Sequence, residues 1–156
     1  MNKLLKLLEK DARLTTAQLS AMMGCTEQEV ADQIKALEKD GTIRAYQAMI
    51  DWGRTDRAYV TAMIELKVTP KRDYGFEAIA EQIMRFEEVE TVYLMSGGYD
   101  LSVVVSGRTF QEVAMCGANR LSTLDSVGPT ATHFVLRRYK EKGVPFLFEP
   151  KDEREV

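Results

Sequence analysis

A chain of 156 residues with 45% hydrophobic and 29% charged side chains has an ordinary globular composition, which excludes wholesale disorder and leaves room for one average domain or two small ones. Its formal charge of −3 is not the basic excess expected of a sequence-blind nucleic-acid binder. No apolar run approaches a membrane span, and the start, MNKLLKLLEK, lacks the cleavage site of a signal peptide, so a cytoplasmic protein with no membrane partner is expected.

The first predicted element is a helix from Asn2 to Ala12, with Leu4, Leu5, Leu7 and Leu8 as its apolar stripe. Thr15 with Gln18, and Thr26 with Glu29, each fit the capping box, in which a hydroxyl and a carboxylate or amide three residues on satisfy free N–H groups. Met23-Gly24-Cys25 supplies the turn between the two helices so marked. Leu19, Met22 and Met23 on the second helix, and Val30, Ile34 and Leu37 on the third, complete a small core. Gly41 ends the third helix, and Thr42-Ile43-Arg44-Ala45-Tyr46 alternates as a strand would. Helix, turn, helix and wing is the layout that delivers one helix into the DNA major groove.

Charge is the weak point of that reading. Residues 1–50 carry seven cationic and seven acidic side chains, and Glu27 to Asp40 sets two lysines against five acidic residues. The candidates for DNA contact are Thr26, Gln28, Gln33 and Lys35 on the helix and Arg44 on the wing. Glutamine can read adenine, while Lys35 and Arg44 would hold phosphates. Weak or highly cooperative binding is expected.

Asp51 to Arg57 is polar and reads as an interdomain hinge, with Trp52 expected to pack across it. Beyond it the pattern alternates. Ala58 to Val68 is a strand, Tyr74 to Phe86 a helix with Phe76, Ile79, Ala80, Ile83 and Met84 at helical spacing, and Val89 to Met95 a strand. Ser96-Gly97-Gly98 makes a hairpin turn into Tyr99 to Val105. Thr109 with Glu112 opens a helix to about Leu121, and Thr130 to Tyr139 is the last strand. The order β-α-β-β-α-β predicts a four-stranded antiparallel sheet with both helices on one face. Its other face carries apolar and aromatic residues, which a second copy would cover in a symmetric dimer. The fold class is therefore α+β: a winged helix-turn-helix over 1–50, a hinge over 51–57, a ferredoxin-like domain over 58–145 and a tail over 146–156. Phe146, Leu147 and Phe148 are too apolar for a free tail and are expected to fold back, while Lys151 to Val156 frays. Cys25 and Cys116 read as packed thiols rather than a disulfide.

The stretch LEKDARLTTAQLSAMMGCTEQEVADQIKALEKDGTIRAYQAMID resembles the N-terminal signature of the Lrp/AsnC (feast/famine) transcription regulators. VETVYLMSGGYDLSVVV resembles that family's effector-binding RAM domain. The resemblance implies a homodimer assembling to a tetramer or octamer, binding double-stranded DNA, with an amino acid or related small metabolite as effector and no cofactor. It places the effector at the hairpin turn. There Gly97 and Gly98 would offer N–H groups to a carboxylate and Asp100 would pair with an ammonium. Met95, Tyr99 and Leu101 are candidate walls, and Ser122, Thr130 and Thr132 would complete the pocket from a neighbouring subunit. The departure is at Gln33 and Ala36, where family members commonly carry arginine. It keeps open a second reading, a metabolite-sensing partner protein with weak or lost DNA binding. An enzyme is not expected: some haem-pathway decarboxylases resemble the family, but their chemistry needs several histidines and this chain has only His133. No metal-ligand spacing is present.

Overall fold

The capping boxes work as hydrogen-bond geometry requires. In the computed structural model, which describes residues 2–73 and 75–147, the Thr15 and Gln18 pair opens α2 (Thr16–Met23) and the Thr26 and Glu29 pair opens α3 (Glu27–Lys39). Between them Gly24 takes φ +73°, and its N–H donates 2.8 Å to the Ser20 carbonyl, a conformation costly for any residue with a Cβ. The first helix, α1 (Asn2–Lys10), stops two residues short of Ala12. Lys3 Nζ reaches back to the Met22 carbonyl at 2.7 Å, placing a cation at the C-terminal end of α2. Leu4, Leu8, Leu19, Val30 and Leu37 form the buried core of this unit, with Met23 and Ile34 at its margin. Met22 does not join it and is exposed, because it lies on the outer side of a two-turn helix.

The expected wing strand does not form. Among the described residues of their unit Thr42 to Ile50 have no second strand to pair with, and isolated bonds hold the start of the segment instead: Thr42 N–H on Asp40 at 2.8 Å, Ile43 N–H on the Leu37 carbonyl at 3.0 Å and the Tyr46 hydroxyl on Glu38 at 2.9 Å. The chain divides after this segment, into units Met1–Ile50 and Asp51–Val156.

In the second unit β1 (Val60–Val68), β2 (Val89–Leu94), β3 (Leu101–Gly107) and β4 (Val127–Phe134) make one antiparallel sheet in the order β2-β3-β1-β4. Strand alternation puts Ala62, Ile64, Leu66 and Val68 of β1, with Leu101, Val103 and Val105 of β3, on one face. Ile79 and Ile83 of α4 (Phe76–Met84) and Val113 of α5 (Phe110–Met115) bury against them. Burial of each such side chain contributes about 1.5–3 kcal/mol. Met84, expected in this core, is exposed instead. Among the described residues no helix covers the other face, and Met63 and Tyr93 stand exposed on it beside Glu65 and His133, whose side chains meet at 3.1 Å.

Several boundaries move. The last strand begins at Val127 and ends at Phe134, not at Tyr139, because β1 begins at Val60 and the Val135 N–H to Thr61 carbonyl bond, 2.9 Å, is the last that β1 can offer. Pro129 is tolerated because β4 is an edge strand. Thr109 caps α5 through the Glu112 N–H at 3.1 Å, but the box is not reciprocal: Glu112 accepts from Arg108 N–H, 2.8 Å, rather than from Thr109. The helix expected to run evenly to Leu121 widens at Cys116, where Ser122 N–H bonds five residues back to the Gly117 carbonyl at 3.0 Å.

After β4 a two-residue turn at Lys142 and Gly143, both at positive φ, joins β5 (Lys140–Glu141) to β6 (Val144–Pro145). Phe146 then folds back, its N–H on the Tyr139 carbonyl at 2.9 Å. Tyr74, the expected first residue of the helix before β2, and Phe148 with the rest of the tail lie outside the described residues. Among the described residues no helix is long and apolar enough to cross a membrane.

Candidate DNA-binding and effector sites

On α3 each of the five acidic residues between Glu27 and Asp40 has a local partner. Glu29 Oε2 accepts from the Thr26 backbone at 2.8 Å and from its hydroxyl at 2.9 Å, bonds that hold the Glu29 carboxyl below the usual carboxylate range. Asp40 is lowered in the same way by the Thr42 backbone N–H, 2.8 Å away. Glu27 accepts from Thr16, Asp32 from the Gln28 amide at 3.0 Å, and Glu38 from the Tyr46 hydroxyl at 2.9 Å. Much of the negative charge is therefore built into caps and turns, and Asp32 is the acidic residue left on the outward side.

The five candidate DNA contacts do not share one face. With Val30, Ile34 and Leu37 turned inward, Gln28 and Lys35 fall seven positions apart on the outward side. Gln33, two positions from Lys35, is rotated by roughly 200° about the axis. Thr26 is spent as the N-cap, its hydroxyl accepting from Glu29 N–H at 3.2 Å. Arg44 is not extended on a wing. Its guanidinium lies against Gly41, so close that a Cβ there would meet it at 3.3 Å, and it complements the C-terminal end of α3. Lys39, which the sequence reading passed over, sits four positions after Lys35 on the same outward side.

In the second unit the candidate effector turn is a hairpin loop closed by Met95 N–H on the Asp100 carbonyl at 2.8 Å. Gly97 takes φ +153°, and both Gly97 and Gly98 have open space where a Cβ would be. Asp100 is already engaged: its Oδ2 accepts from Val68 N–H at 2.8 Å, and its own N–H donates 2.9 Å to the Leu66 carbonyl. It ties the hairpin to the end of β1, which leaves Oδ1 for a ligand. Leu101 is a core residue, fully buried, and is not a wall of any open site.

Leu101 pairs with Leu66, and Leu66 with Thr130, so Thr130 lies in the same cross-strand row as the hairpin within one chain. Thr132 is further along, under the Gly117 turn, and Ser122 donates its hydroxyl to the Gly117 carbonyl at 2.8 Å. Beyond this end of the sheet lies a cavity of about 420 Å³, lined by Ile79, Gln82 and Leu124 and bordered by Lys71 and Asp125, 4.0 Å apart. Thr69 N–H on the Ser126 carbonyl, 2.9 Å, fixes that rim. Opposite charges over an apolar floor suit a zwitterion. The sequence reading missed these residues, and the only signal for them was polar Gln82 among apolar helix positions.

Residues 2–44 match the model for a winged helix-turn-helix DNA-binding domain. Residues 61–145 match the Lrp/AsnC ligand binding domain. The chain belongs to the Lrp/AsnC family. It is 48% identical, over 99% of its length and 93% of the relative's, to the HTH-type transcriptional regulator YugG of Bacillus subtilis. A proline dehydrogenase transcriptional activator of Rhodobacter capsulatus is 27% identical over 88% of both chains. Among solved structures, a Neisseria meningitidis transcriptional regulator in complex with L-Met superposes with a TM-score of 0.73 at 21% identity, covering 91% of each chain. That last likeness is one of fold. The Lrp/AsnC relatives are transcriptional regulators, and the chain has both parts of such a regulator, an HTH DNA-binding domain and a ligand-binding domain.

Proposed function

We propose that this chain is an amino-acid-responsive transcription regulator that acts by binding rather than catalysis. Residues 1–50 engage double-stranded DNA, and residues 58–145 bind the effector and pair copies of the chain. The observation that carries the reading is the joining, in one chain, of a helix-turn-helix model match with a ligand binding domain match. The L-Met bound to the Neisseria regulator supports an amino acid as effector. So does the chemistry at one end of the sheet, where the hairpin offers glycine N–H groups and the free Oδ1 of Asp100, and a separate cavity carries the Lys71 and Asp125 pair, each with groups for the two ends of a zwitterion. DNA contact falls to Gln28, Lys35 and Lys39, with Gln33 and Arg44 at the flanks. The uncovered sheet face supports a homodimer, from which tetramers or octamers are built, in the cytoplasm.

The test is recovery of genomic DNA fragments by the purified chain at low and moderate salt, with and without a mixture of amino acids. Specific fragments whose retention changes with one amino acid are expected. A second reading has its own observation, the equal numbers of acidic and basic side chains in residues 1–50. On that reading the chain senses its ligand and acts through a partner regulator. Retention of no DNA even at low salt, together with stabilisation by an amino acid, would select it.

A further inference from the structure

A cluster of arginines lies outside the helix-turn-helix. It lies in the second unit, around a cleft of about 380 Å³ where the segment Asp51 to Tyr59 meets the chain leaving β4. Arg54, Arg57, Arg137 and Arg138 all line it. The one carboxylate in its lining is Asp51, whose Oδ1 accepts from Gly53 N–H at 3.1 Å; Glu141 pairs with Arg138 at 2.9 Å, and Glu87, Glu88 and Glu112 line a neighbouring cleft on the far side of Arg57 and Tyr59. Arg57 and Arg137, which face this cleft from its two sides, are like charges, and an oxyanion between them would relieve their repulsion.

Three of the guanidinium groups lie over or beside aromatic rings. Arg57 lies 4.4 Å over Trp52 and 5.6 Å from Tyr59, Arg138 lies 4.9 Å over Phe146, and Arg137 lies 5.5 Å from Tyr139. Contact with a ring restrains where each guanidinium group can go. That removes part of the ordering cost of gripping an oxyanion in a bidentate way. Trp52 is itself held by a short helical turn, Trp52–Arg54, which Asp51 caps. The cleft is thus assembled before any ligand arrives.

The geometry points to a phosphate-binding site in the second unit, separate from the candidate effector turn, with Arg57 and Arg137 as its two principal grips and Arg138 in support. The ligand chemistry is a phosphate oxyanion, carried either by a nucleic-acid backbone or by a free phosphorylated small molecule. The inference does not depend on the regulator reading, since the cleft exists whether or not residues 1–50 bind DNA.

Two measurements on the full chain test it. In the first, melting is followed with sodium pyrophosphate and with sodium chloride at matched ionic strength. Pyrophosphate is expected to raise the melting temperature of the wild type, and the rise should be lost in Arg57→Gln/Arg137→Gln. In the second, binding to a non-specific duplex is followed against salt. If the backbone is the source of phosphate, the double variant lowers the slope of log K against log salt by about 2, near 0.9 for each phosphate contact removed. A pyrophosphate response without a change in slope assigns the cleft to a free phosphorylated ligand. If wild type retains no duplex at all, the regulator reading fails and the pyrophosphate arm still decides the site. Absence of both effects overturns the site. The single variants Arg57→Gln and Arg137→Gln stack on different rings, so if one fails to fold the other still gives the answer.

Discussion

At Asp100 a structural bond and a ligand bond compete for one carboxylate. Its Oδ2 holds Val68 N–H at 2.8 Å, a charge-assisted bond that pins the hairpin to β1. Asp100→Ala is therefore expected to cost about 1.5–3 kcal/mol, read as a fall in melting temperature, and not to leave the fold untouched. Asp100→Asn separates the two roles. Its amide oxygen can still accept from Val68, so stability should stay near wild type, while the loss of charge removes the pairing with an ammonium. An Asn variant that still gains full thermal stabilisation from the effector would make Asp100 purely structural. Glu29 offers a second single-residue test. Its folded pKa is depressed by the Thr26 backbone bond, so its contribution is present above the ordinary carboxylate range and is lost as pH falls through the depressed value. Melting of the wild type between about pH 6 and pH 3 should therefore decline more steeply than melting of Glu29→Gln, whose side chain can accept the same bond without titrating. Equal slopes would show that the Glu29 charge adds nothing to the cap.

The third helix turns these residue-level bonds into a surface. Four of its five acidic neighbours are drawn into caps, turns and the start of α2, but Asp32 faces outward between Gln28 and Lys35. Asp32→Asn is expected to tighten duplex binding severalfold at low salt by removing a repulsion from phosphate. Lys35→Ala should weaken it on all sequences and lower the salt slope by about 0.9, both read by fluorescence anisotropy. No change in either variant would move the interface off this side of α3. The same helix shows why some of the structure was legible in the sequence. Thr26, Glu29 and their bonds lie within one turn, so local spacing determines them. The hairpin at Gly97 and the succession β-α-β-β-α-β along the chain were legible for a similar reason, through turn residues and alternation. What was not legible depends on partners distant along the chain. The end of β4 is set by where β1 begins, and the wing residues lack any strand to pair with. The wide turn at Cys116 forms where Gly117 crosses Ile64 of β1, whose Cδ1 would sit 3.2 Å from any added Cβ. The cleft of arginines, likewise, joins residues from opposite ends of the second unit, and no local pattern announces it.

At the scale of the whole molecule the uncovered sheet face is where the proposed second copy would sit. Met63 lies in the central strand β1, between Val104 of β3 and His133 of β4, and is 44% exposed, while Tyr93 on the edge strand is 56% exposed. A patch of this kind on a sheet with helices on one side only favours a second copy, related by a twofold axis. Met63→Arg places a charge at the middle of that patch while pointing away from the core formed by Ile64 and Leu66, so the single chain should fold with an unchanged circular dichroism spectrum. Sedimentation should show a monomer, and the melting temperature should become independent of protein concentration. The consequence for DNA follows from charge. A recognition helix with little net attraction for phosphate cannot hold a duplex well alone, whereas two joined copies bind with a high effective concentration for the second half-site. Loss of the pair should therefore weaken DNA binding by a factor of about 10² or more without any change in the helix itself. A Met63→Arg protein that sediments as a monomer yet binds DNA as tightly as wild type would mean that each helix-turn-helix acts alone, and the face would then serve some purpose other than avidity.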